Sequence, residues 1–331
     1  MRSIAIRLSL LVLLLAGTAI AADPPVPDLA DGRTGKIYFE SITPAGYFAL
    51  AKRQATQKTV IFGTLLLPKR ATGPVPVMVI AHGSSGVAHE REFWWADHLN
   101  DIGVGAFVVD SFTPRNIRET ATDQTQLSTA ANVADALAGL RLLATHPKVD
   151  KQRIGVMGFS KGGQVAIYTA LEPFRRAVIE DQTRFAVHVP LYPYCNDWYV
   201  SEHITGVPML MLLGGRDDYT PPGPCQEYAQ WFKSKGADVD VIVYATAYHG
   251  FDSLRAPVHA KNVVTGAGCN LKVDLDRFAV TIRATGEDIT RTAATYARGC
   301  VGKGATVGGD SEGRKKSPED VKAFLKKVFA L

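Results

Sequence analysis

Residues 154–163 read IGVMGFSKGG, and this stretch decides the fold. The apolar residues before Gly158 are typical of a strand buried on both faces of a sheet, and the residues after Gly162 carry apolar side chains at helical spacing. Residues 158–162 thus form G-x-S-x-G between a strand and a helix, which is the arrangement of a nucleophile elbow. We predict that Ser160 is a nucleophile on a strained turn; an incidental glycine-rich turn is the alternative.

Strand-like and helix-like segments alternate on both sides of this turn. The predicted strands are residues 59–67, 75–81, 104–110, 153–158, 184–191, 208–213 and 239–244. The predicted helices are residues 92–102, 127–146, 162–171 and 223–235, and a final helix with Ser317 as N-cap and Pro318 in its first position. This alternation predicts an α/β fold with a mostly parallel, doubly wound sheet and helices on both faces. Functional residues in such sheets follow the carboxyl ends of the strands.

An acid and a histidine follow two of the later strands. The sequence GGRDD begins at Gly214 directly after one predicted strand, and YHGFD begins at Tyr248 after the next. A serine hydroxyl needs a base within hydrogen-bond reach, and the chain order serine, acid, histidine accompanies this kind of elbow. We predict that His249 is the base and that Asp217 orients it. Asp218 is the competing acid, but the two glycines before Asp217 permit the sharp turn that would aim its carboxylate.

Other strand ends offer groups that could bind a substrate. The sequence HGSSG begins at His82 and resembles loops that supply an oxyanion N–H. We expect the backbone N–H groups of Ser84 and Lys161 to bind the charge that develops on a substrate oxygen. Arg115 follows the strand 104–110 and is a candidate to bind a substrate carboxylate, with a surface arginine as the alternative. Tyr219 is a candidate pocket residue.

These motifs together resemble the dienelactone hydrolase-like branch of the α/β-hydrolase family, over residues 59–252 and again at the final helix. The resemblance implies an α/β-hydrolase fold and hydrolysis of a carboxylic ester or lactone through an acyl-enzyme. Enzymes that act on dienelactone itself use a cysteine nucleophile, whereas this chain has Ser160, so a general esterase-like member is favoured. Two alternatives remain: an exported serine peptidase with the same triad, and a catalytically dead hydrolase fold that serves as a binding protein.

Four cysteines, Cys195, Cys225, Cys269 and Cys300, suggest disulfides. Three pairings are possible; we favour Cys195–Cys225 and Cys269–Cys300, each closing a loop of about thirty residues and contributing on the order of 3 kcal/mol. Residues 255–309 break the alternation of strands and helices with a glycine-rich loop, a possible hairpin around 271–282 and a helix around 287–298. We expect a disulfide-stapled insertion in a single domain that spans residues 23–331.

The amino terminus has the layout of a signal peptide. Arg2 and Arg7 precede the apolar run 8–16, and Ala19-Ile20-Ala21 offers small residues for cleavage, so we expect residues 1–22 to be removed. A membrane anchor is the alternative, but the apolar run is too short to span a bilayer comfortably. The mature chain would be exported, either to the periplasm or to the medium.

Composition and charge limit the remaining possibilities. Without Arg2 and Arg7 the formal net charge falls from +5 to +3 and is scattered, which does not favour nucleic acid as a partner. The chain lacks nucleotide-binding motifs in strand–helix context and lacks H-E-x-x-H, so no cofactor and no metal is predicted. The expected partner is a small-molecule ester or lactone, without stable membrane insertion. The sequence leaves the oligomeric state open.

Overall fold

All seven predicted strands overlap strands of one large sheet. A computed structural model describes residues 24–54 and 57–331, and the predicted signal peptide of residues 1–22 lies outside the described residues. The strands are β1 (Gly35–Thr43), β2 (Gln57–Leu66), β3 (Val75–Ala81), β4 (Gly105–Asp110), β5 (Val149–Phe159), β6 (His188–Leu191), β7 (Asp197–Val200), β8 (Met209–Gly214), β9 (Val239–Tyr244), β10 (Val258–Thr265), β11 (Leu271–Asp274), β12 (Ala279–Ile282) and β13 (Gly302–Val307).

The large sheet has the order β1-β2-β4-β3-β5-β6-β8-β9. The six strands from β4 to β9 in this order are parallel, while β1 and β2 add an antiparallel edge. Strands β3, β4 and β8 are buried along their whole length, as their continuous apolar sequences require. The predicted α/β-hydrolase fold with a mostly parallel sheet is confirmed.

Helices cover both faces of this sheet. They are α1 (Tyr47–Ala51), α2 (Trp94–Asp101), α3 (Thr129–Leu143), α4 (Lys161–Tyr168), α5 (Glu172–Val178), α6 (Pro222–Ser234), α7 (Ala293–Cys300) and α8 (Ser311–Phe329). Most of the buried apolar residues of α3, α4 and α6 belong to one core. Those of α2 and α8 belong to a second core on the other face. Among the described residues, no helix is long and apolar enough to span a membrane.

The last helix begins earlier than the sequence predicts. Asp310, not Ser317, is its N-cap, and the Asp310 carboxylate accepts a hydrogen bond from the N–H of Gly313 at 2.7 Å. Pro318 lies inside the helix rather than in its first position. The Asp310 carboxylate accepts a hydrogen bond from an N–H of the first turn, so the helix can begin before Pro318. Pro318 then removes only one backbone N–H donor from the interior of the helix. The predicted start at residue 317 is wrong.

Residues 255–309 add two small sheets at the carboxyl edge of the large one. Strands β10 and β13 pair antiparallel, and β11 and β12 form the hairpin expected around residues 271–282. Strand β11 also pairs in parallel with β7, and this pairing connects the segment to the rest of the protein. Disulfides link Cys195 to Cys225 and Cys269 to Cys300, the two pairs that the sequence favoured.

The close approach of β5, α4 and the end of β3 around Gly162 leads us to expect that an alanine at this position destabilises the protein. A Cβ atom at Gly162 would overlap the carbonyl oxygen of Ala81 at the end of β3. We expect Gly162→Ala to lower the free energy of unfolding by about 1–3 kcal/mol or more, measured by chemical denaturation. Gly223→Ala in α6 is the matched control, because its Cβ would meet open space. Equal stability of the two variants would contradict this close crossing.

Candidate active site

Ser160 occupies a strained turn between β5 and α4. Its φ of 54° and ψ of −112° lie in a region that side-chain-bearing residues rarely adopt. The turn is held because the Ser160 N–H donates to the carbonyl of Leu191 at 3.0 Å, and the N–H of Gln164 donates to the carbonyl of Ser160 at 3.1 Å. Because the turn follows the last residue of β5, it places the hydroxyl at the carboxyl edge of the sheet.

His249, which follows β9, contacts this hydroxyl, and Asp217, which follows β8, contacts His249. His249 Nε2 lies 2.9 Å from Ser160 Oγ, and His249 Nδ1 lies 2.8 Å from Asp217 Oδ2. Both residues are buried, with exposed fractions of 6% for His249 and 4% for Asp217. The hydrogen-bond partners of the two ring nitrogens determine the tautomer of His249. Nδ1–H donates to the Asp217 carboxylate, which leaves Nε2 free to accept the serine proton.

Thr220 completes the surroundings of the Asp217 carboxylate. The Asp217 Oδ1 atom accepts hydrogen bonds from the N–H groups of Tyr219 and Thr220, and Oδ2 lies 2.9 Å from Thr220 Oγ1. Thr220 Oγ1 is also 3.0 Å from His249 Nδ1. Sequence reasoning missed this residue, although the spacing D-x-x-T after a strand is a turn signal in which the acid caps the following N–H groups.

The competing acid points elsewhere. Asp218 Oδ1 accepts from the N–H of Thr306 at 2.7 Å, and Oδ2 accepts from the Thr306 hydroxyl at 2.9 Å. Thr306 lies on β13, so Asp218 ties the segment 255–309 to the loop after β8. The two neighbouring carboxylates therefore have different partners: His249 for the first and β13 for the second.

The two backbone donors expected for an oxyanion lie beside Ser160. A Cβ built on Gly83 would be 3.6 Å from the Cβ of Ser160, so the 82–86 loop passes over the serine. Within the described part of the chain, the N–H groups of Ser84 and Lys161 donate to no other protein atom. His82 braces this loop, because its Nδ1 donates to the carbonyl of Gly83 at 2.8 Å and its Nε2 accepts from the N–H of Ser111 at 3.1 Å. Burial lowers the pKa of His82, which favours this neutral form.

The side chain of Lys161 is connected to the side chain of Ser84 through Gln124. Its ammonium is buried and donates to Gln124 Oε1 at 3.0 Å, to the Leu127 carbonyl at 3.1 Å and to Thr120 Oγ1 at 3.4 Å. Gln124 Nε2 in turn donates to Ser84 Oγ at 3.0 Å. Burial without a carboxylate partner lowers the pKa of Lys161 to about 8. The residue after Ser160 thus helps to position the loop that carries the other donor.

Two cavities meet at Ser160. The histidine-side cavity has a volume of about 410 Å³, and its lining includes His249, Arg91, Arg255 and Val307. The tyrosine-side cavity has a volume of about 240 Å³, and its lining includes Tyr47, Tyr194, Asp197, Tyr199 and Cys269. Ser84, Ser160 and Tyr219 line both cavities. A substrate with two halves can therefore place its reacting carbon at Ser160 and extend in two directions.

Tyr219 lies where a pocket residue is expected, with its ring centroid 4.7 Å from that of His249. Burial raises the pKa of its hydroxyl to about 12, so the hydroxyl stays protonated at neutral pH. Tyr192 packs edge-on against His249, with the ring centroids 4.9 Å apart. Its hydroxyl donates to the fully buried Asp252 at 2.6 Å, which also accepts from Trp95 Nε1 at 2.8 Å. Asp252 thereby fixes the position of the Tyr192 ring that packs against the imidazole.

The structure corrects the assignment of Arg115 to substrate binding. Its guanidinium is paired with Asp135 at 2.7 and 3.0 Å, and the two side chains are 7% and 0% exposed. Its remaining N–H groups donate to oxygens of Ile42, Thr43 and Ser111. All five donors are therefore used inside the protein, and Arg115 lines neither cavity at Ser160. Arg115 therefore binds a carboxylate of the protein itself, Asp135 on α3, instead of the expected substrate carboxylate.

A family model for the dienelactone hydrolase family matches residues 61–267, which contain Ser160, Asp217 and His249. The chain belongs to the dienelactone hydrolase family. This membership places it among the carboxylic ester hydrolases. Within residues 24–54 and 57–331, no group of three or more histidine, cysteine or acidic side chains could hold a metal ion.

The chain is distantly similar to several named proteins and solved structures. A Yersinia pestis protein named "Putative carboxymethylenebutenolidase" is 26% identical over 222 residues, covering 60% of this chain and 77% of the relative. An Escherichia coli protein of the same name is 24% identical over 215 residues, covering 60% and 76%. A Thermogutta terrifontis esterase structure has 18% identity and a TM-score of 0.47, covering 58% of this chain and 80% of that chain. The family assignment rests on the family model.

The buried ion pair of Arg115 can be tested by its effect on stability. In Arg115→Met the Asp135 carboxylate would stay buried without its cation, and we expect a loss of about 3–5 kcal/mol in the free energy of unfolding. Lys58→Met, which breaks an exposed pair with Glu40, is the control and should change stability little. KM for an ester substrate should stay near the wild-type value in whatever fraction folds. Unchanged stability with a large rise in KM would restore Arg115 to the substrate site.

Proposed function

We propose that the protein cleaves a carboxylic ester or lactone through an acyl-enzyme, with Ser160 as nucleophile, His249 as general base and Asp217 as the acid that orients the imidazole. One observation carries this proposal: the unbroken contact from Ser160 Oγ to His249 Nε2, and from His249 Nδ1 to Asp217 Oδ2, at 2.9 and 2.8 Å. These contacts supply what a serine needs to become nucleophilic at neutral pH.

In the first half of the reaction, Ser160 Oγ attacks the carbonyl carbon while its proton moves to His249 Nε2. The electron pair of the C=O bond moves to the oxygen, and the N–H groups of Ser84 and Lys161 bind the resulting oxyanion. When the oxyanion collapses, the bond to the leaving oxygen breaks and His249 gives that oxygen the proton. Asp217 stays ionised and stabilises the imidazolium throughout. Water then repeats the same steps on the acyl-serine and releases the acid.

We propose that residues 255–309 are an insertion in a single domain spanning residues 23–331 and that they cover this site. The family match ends at residue 267, so most of the segment lies beyond it. Val258, Val263 and Val307 contribute to the histidine-side cavity, whereas Cys269 and Val301 contribute to the other. The segment is held by the Cys269–Cys300 disulfide and by the contact between Asp218 and Thr306.

The function is tested by assaying the purified mature protein on 4-nitrophenyl esters, lactones and peptides. Two matched proteins suffice: wild type and Ser160→Ala, with circular dichroism to confirm that both fold. We expect turnover of esters or lactones by wild type and a loss of several orders of magnitude in kcat for Ser160→Ala. Near wild-type hydrolysis by Ser160→Ala would refute the nucleophile. Turnover of peptides alone would favour a serine peptidase, and no turnover by folded wild type would favour a binding protein.

Substitution of the adjacent acids separates their roles. Asp217→Asn keeps the shape of the side chain but favours the wrong imidazole tautomer, so we expect kcat to fall by about 10⁴. Asp218→Asn leaves His249 untouched and weakens only the contact with Thr306, so its loss in kcat should be less than tenfold. Steady-state kinetics on the best ester measures both. A larger loss at Asp218 than at Asp217 would overturn the assignment of the acid.

We propose that the chain is exported to the periplasm or the medium after removal of residues 1–22. The layout of that leader and the two disulfides support this, because disulfides persist in oxidising compartments. Protein isolated from either location should begin near residue 22 or 23 by mass spectrometry. Thiol titration of the denatured, unreduced protein should detect no free cysteine, whereas a reduced sample should show all four. About four reactive thiols before reduction would contradict the proposal.

A further inference from the structure

The two cavities at Ser160 can be assigned to the two halves of an ester, and this assignment rests on the function proposed above. His249 must protonate the leaving oxygen, so the leaving group lies on the side of the imidazole. His249 lines the histidine-side cavity and not the tyrosine-side cavity. With the carbonyl oxygen at the N–H groups of Ser84 and Lys161, the remaining direction from the reacting carbon leads into the tyrosine-side cavity. That cavity receives the acyl group.

The tyrosine-side cavity is small and aromatic. Its volume of about 240 Å³ is below the range of roughly 300–1,000 Å³ that holds drug-sized ligands. Tyr47 and Tyr199, whose ring centroids are 4.0 Å apart, form one wall. Cys269 and Val301, near the Cys269–Cys300 disulfide, also line it. These dimensions suit a compact acyl group of about one aromatic ring, because rings pack well against tyrosine faces and edges.

A half-buried carboxylate lies in this cavity. Asp197 Oδ2 accepts from the Tyr194 hydroxyl at 3.0 Å, and Oδ1 accepts from the N–H of Leu271 at 3.2 Å. The Tyr194 hydroxyl is also 3.2 Å from the carbonyl of Gly266, and its single proton can serve only one of these acceptors at a time. Burial raises the pKa of Asp197 to about 6, so the carboxyl is mostly ionised at neutral pH. Asp197 therefore retains capacity to accept a hydrogen bond from a ligand.

Among the described residues that line the tyrosine-side cavity, no cation has a free donor for a ligand carboxylate. Of the lining residues in the described part of the chain, Lys161 alone is a lysine or arginine, and its three ammonium protons are matched by three protein acceptors. Arg283, which interacts with Asp197 electrostatically, is paired with Glu227 at 3.1 Å and lies outside the lining. A second carboxylate beside Asp197 would meet a like charge and would find no free N–H donor on a lysine or arginine of the lining. Burying a charge without a hydrogen-bonded partner is costly.

We propose that the acyl half of the substrate is a compact, uncharged aromatic acyl group whose hydroxyl donates a hydrogen bond to Asp197, and that acyl groups ending in a carboxylate are rejected. The aromatic walls select the ring, the volume of about 240 Å³ limits its size, and the Asp197 carboxylate selects a hydrogen-bond donor over an acceptor. A hydrogen bond to a charged group is among the stronger kinds, so the preference should be large enough to measure as a rate ratio.

The test compares acyl groups that share one leaving group. The probes are 4-nitrophenyl esters of phenylacetate, 3- and 4-hydroxyphenylacetate and 4-carboxyphenylacetate, in which the methylene separates the substituent from the carbonyl electronically. Each kcat/KM is divided by the rate of alkaline hydrolysis of that ester. For wild type we expect the better hydroxylated ester to exceed phenylacetate by about tenfold or more. The carboxylated ester should fall at least tenfold below phenylacetate.

Asp197→Asn keeps the size of the side chain and removes its charge. We expect the hydroxyl preference to shrink to within threefold and the carboxylated ester to gain tenfold or more relative to phenylacetate. Glu90→Gln is the matched control, because it removes a carboxylate from the histidine-side cavity and should leave the acyl order unchanged. If Asp197→Asn does not fold, the wild-type order decides.

The outcomes distinguish this inference from the function on which it rests. A wild-type hydroxyl preference below threefold, a carboxylated ester that reacts as fast as phenylacetate, or an acyl order that Asp197→Asn leaves unchanged would each overturn the assignment of the acyl group. The proposed function would stand in those cases if 4-nitrophenyl acetate is hydrolysed by wild type and not by Ser160→Ala. Failure of folded wild type to hydrolyse any of these esters would overturn both.

Discussion

The close crossing of β5 and α4 at Ser160 is the constraint on which the rest of the site depends. A positive φ at a non-glycine residue costs about 1–3 kcal/mol and persists only where the surroundings enforce it. Here Gly158 and Gly162 let the two backbones and the end of β3 approach so closely that no Cβ would fit at either position. The strained turn presents the hydroxyl to His249 and the Lys161 N–H to the place where an oxyanion would form.

The sequence predicted this centre because its signals are local and repeated. Continuous apolar runs identified the buried parallel strands, and glycines beside Ser160 and before Asp217 marked the turns that aim the side chains. The choice of Asp217 over Asp218 followed from where the chain leaves β8, and the two carboxylates indeed have different partners. Strand β1 and helix α1 escaped prediction because their stability comes from pairing and packing on the sheet edge rather than from a strong pattern of their own.

Arg115 and Ser317 show where sequence reasoning fails. The position of a residue at a strand end shows that it is near the functional edge, but not which way a long side chain turns. Arg115 turns inward because the buried carboxylate of Asp135 on α3 binds it. The Asp135 carboxylate also accepts a hydrogen bond from Ser41, which lies ninety-four residues earlier in the chain. The cap at Asp310 prevails over Ser317 because helix starts compete, and the earlier carboxylate captures the first-turn N–H groups. Thr220 and the Asp252 contacts with Tyr192 and Trp95 likewise depend on tertiary geometry.

The central claim is that this geometry makes Ser160 a reactive nucleophile, and a fluorophosphonate probe tests it most directly. The probe forms a stable bond only with a serine that a neighbouring base has activated. Folded wild-type protein is treated with excess probe, and the intact mass and the labelled peptide are determined by mass spectrometry. The account predicts one adduct per chain, located on Ser160. Folded protein that gains no adduct, or that carries it on another residue, would contradict the account.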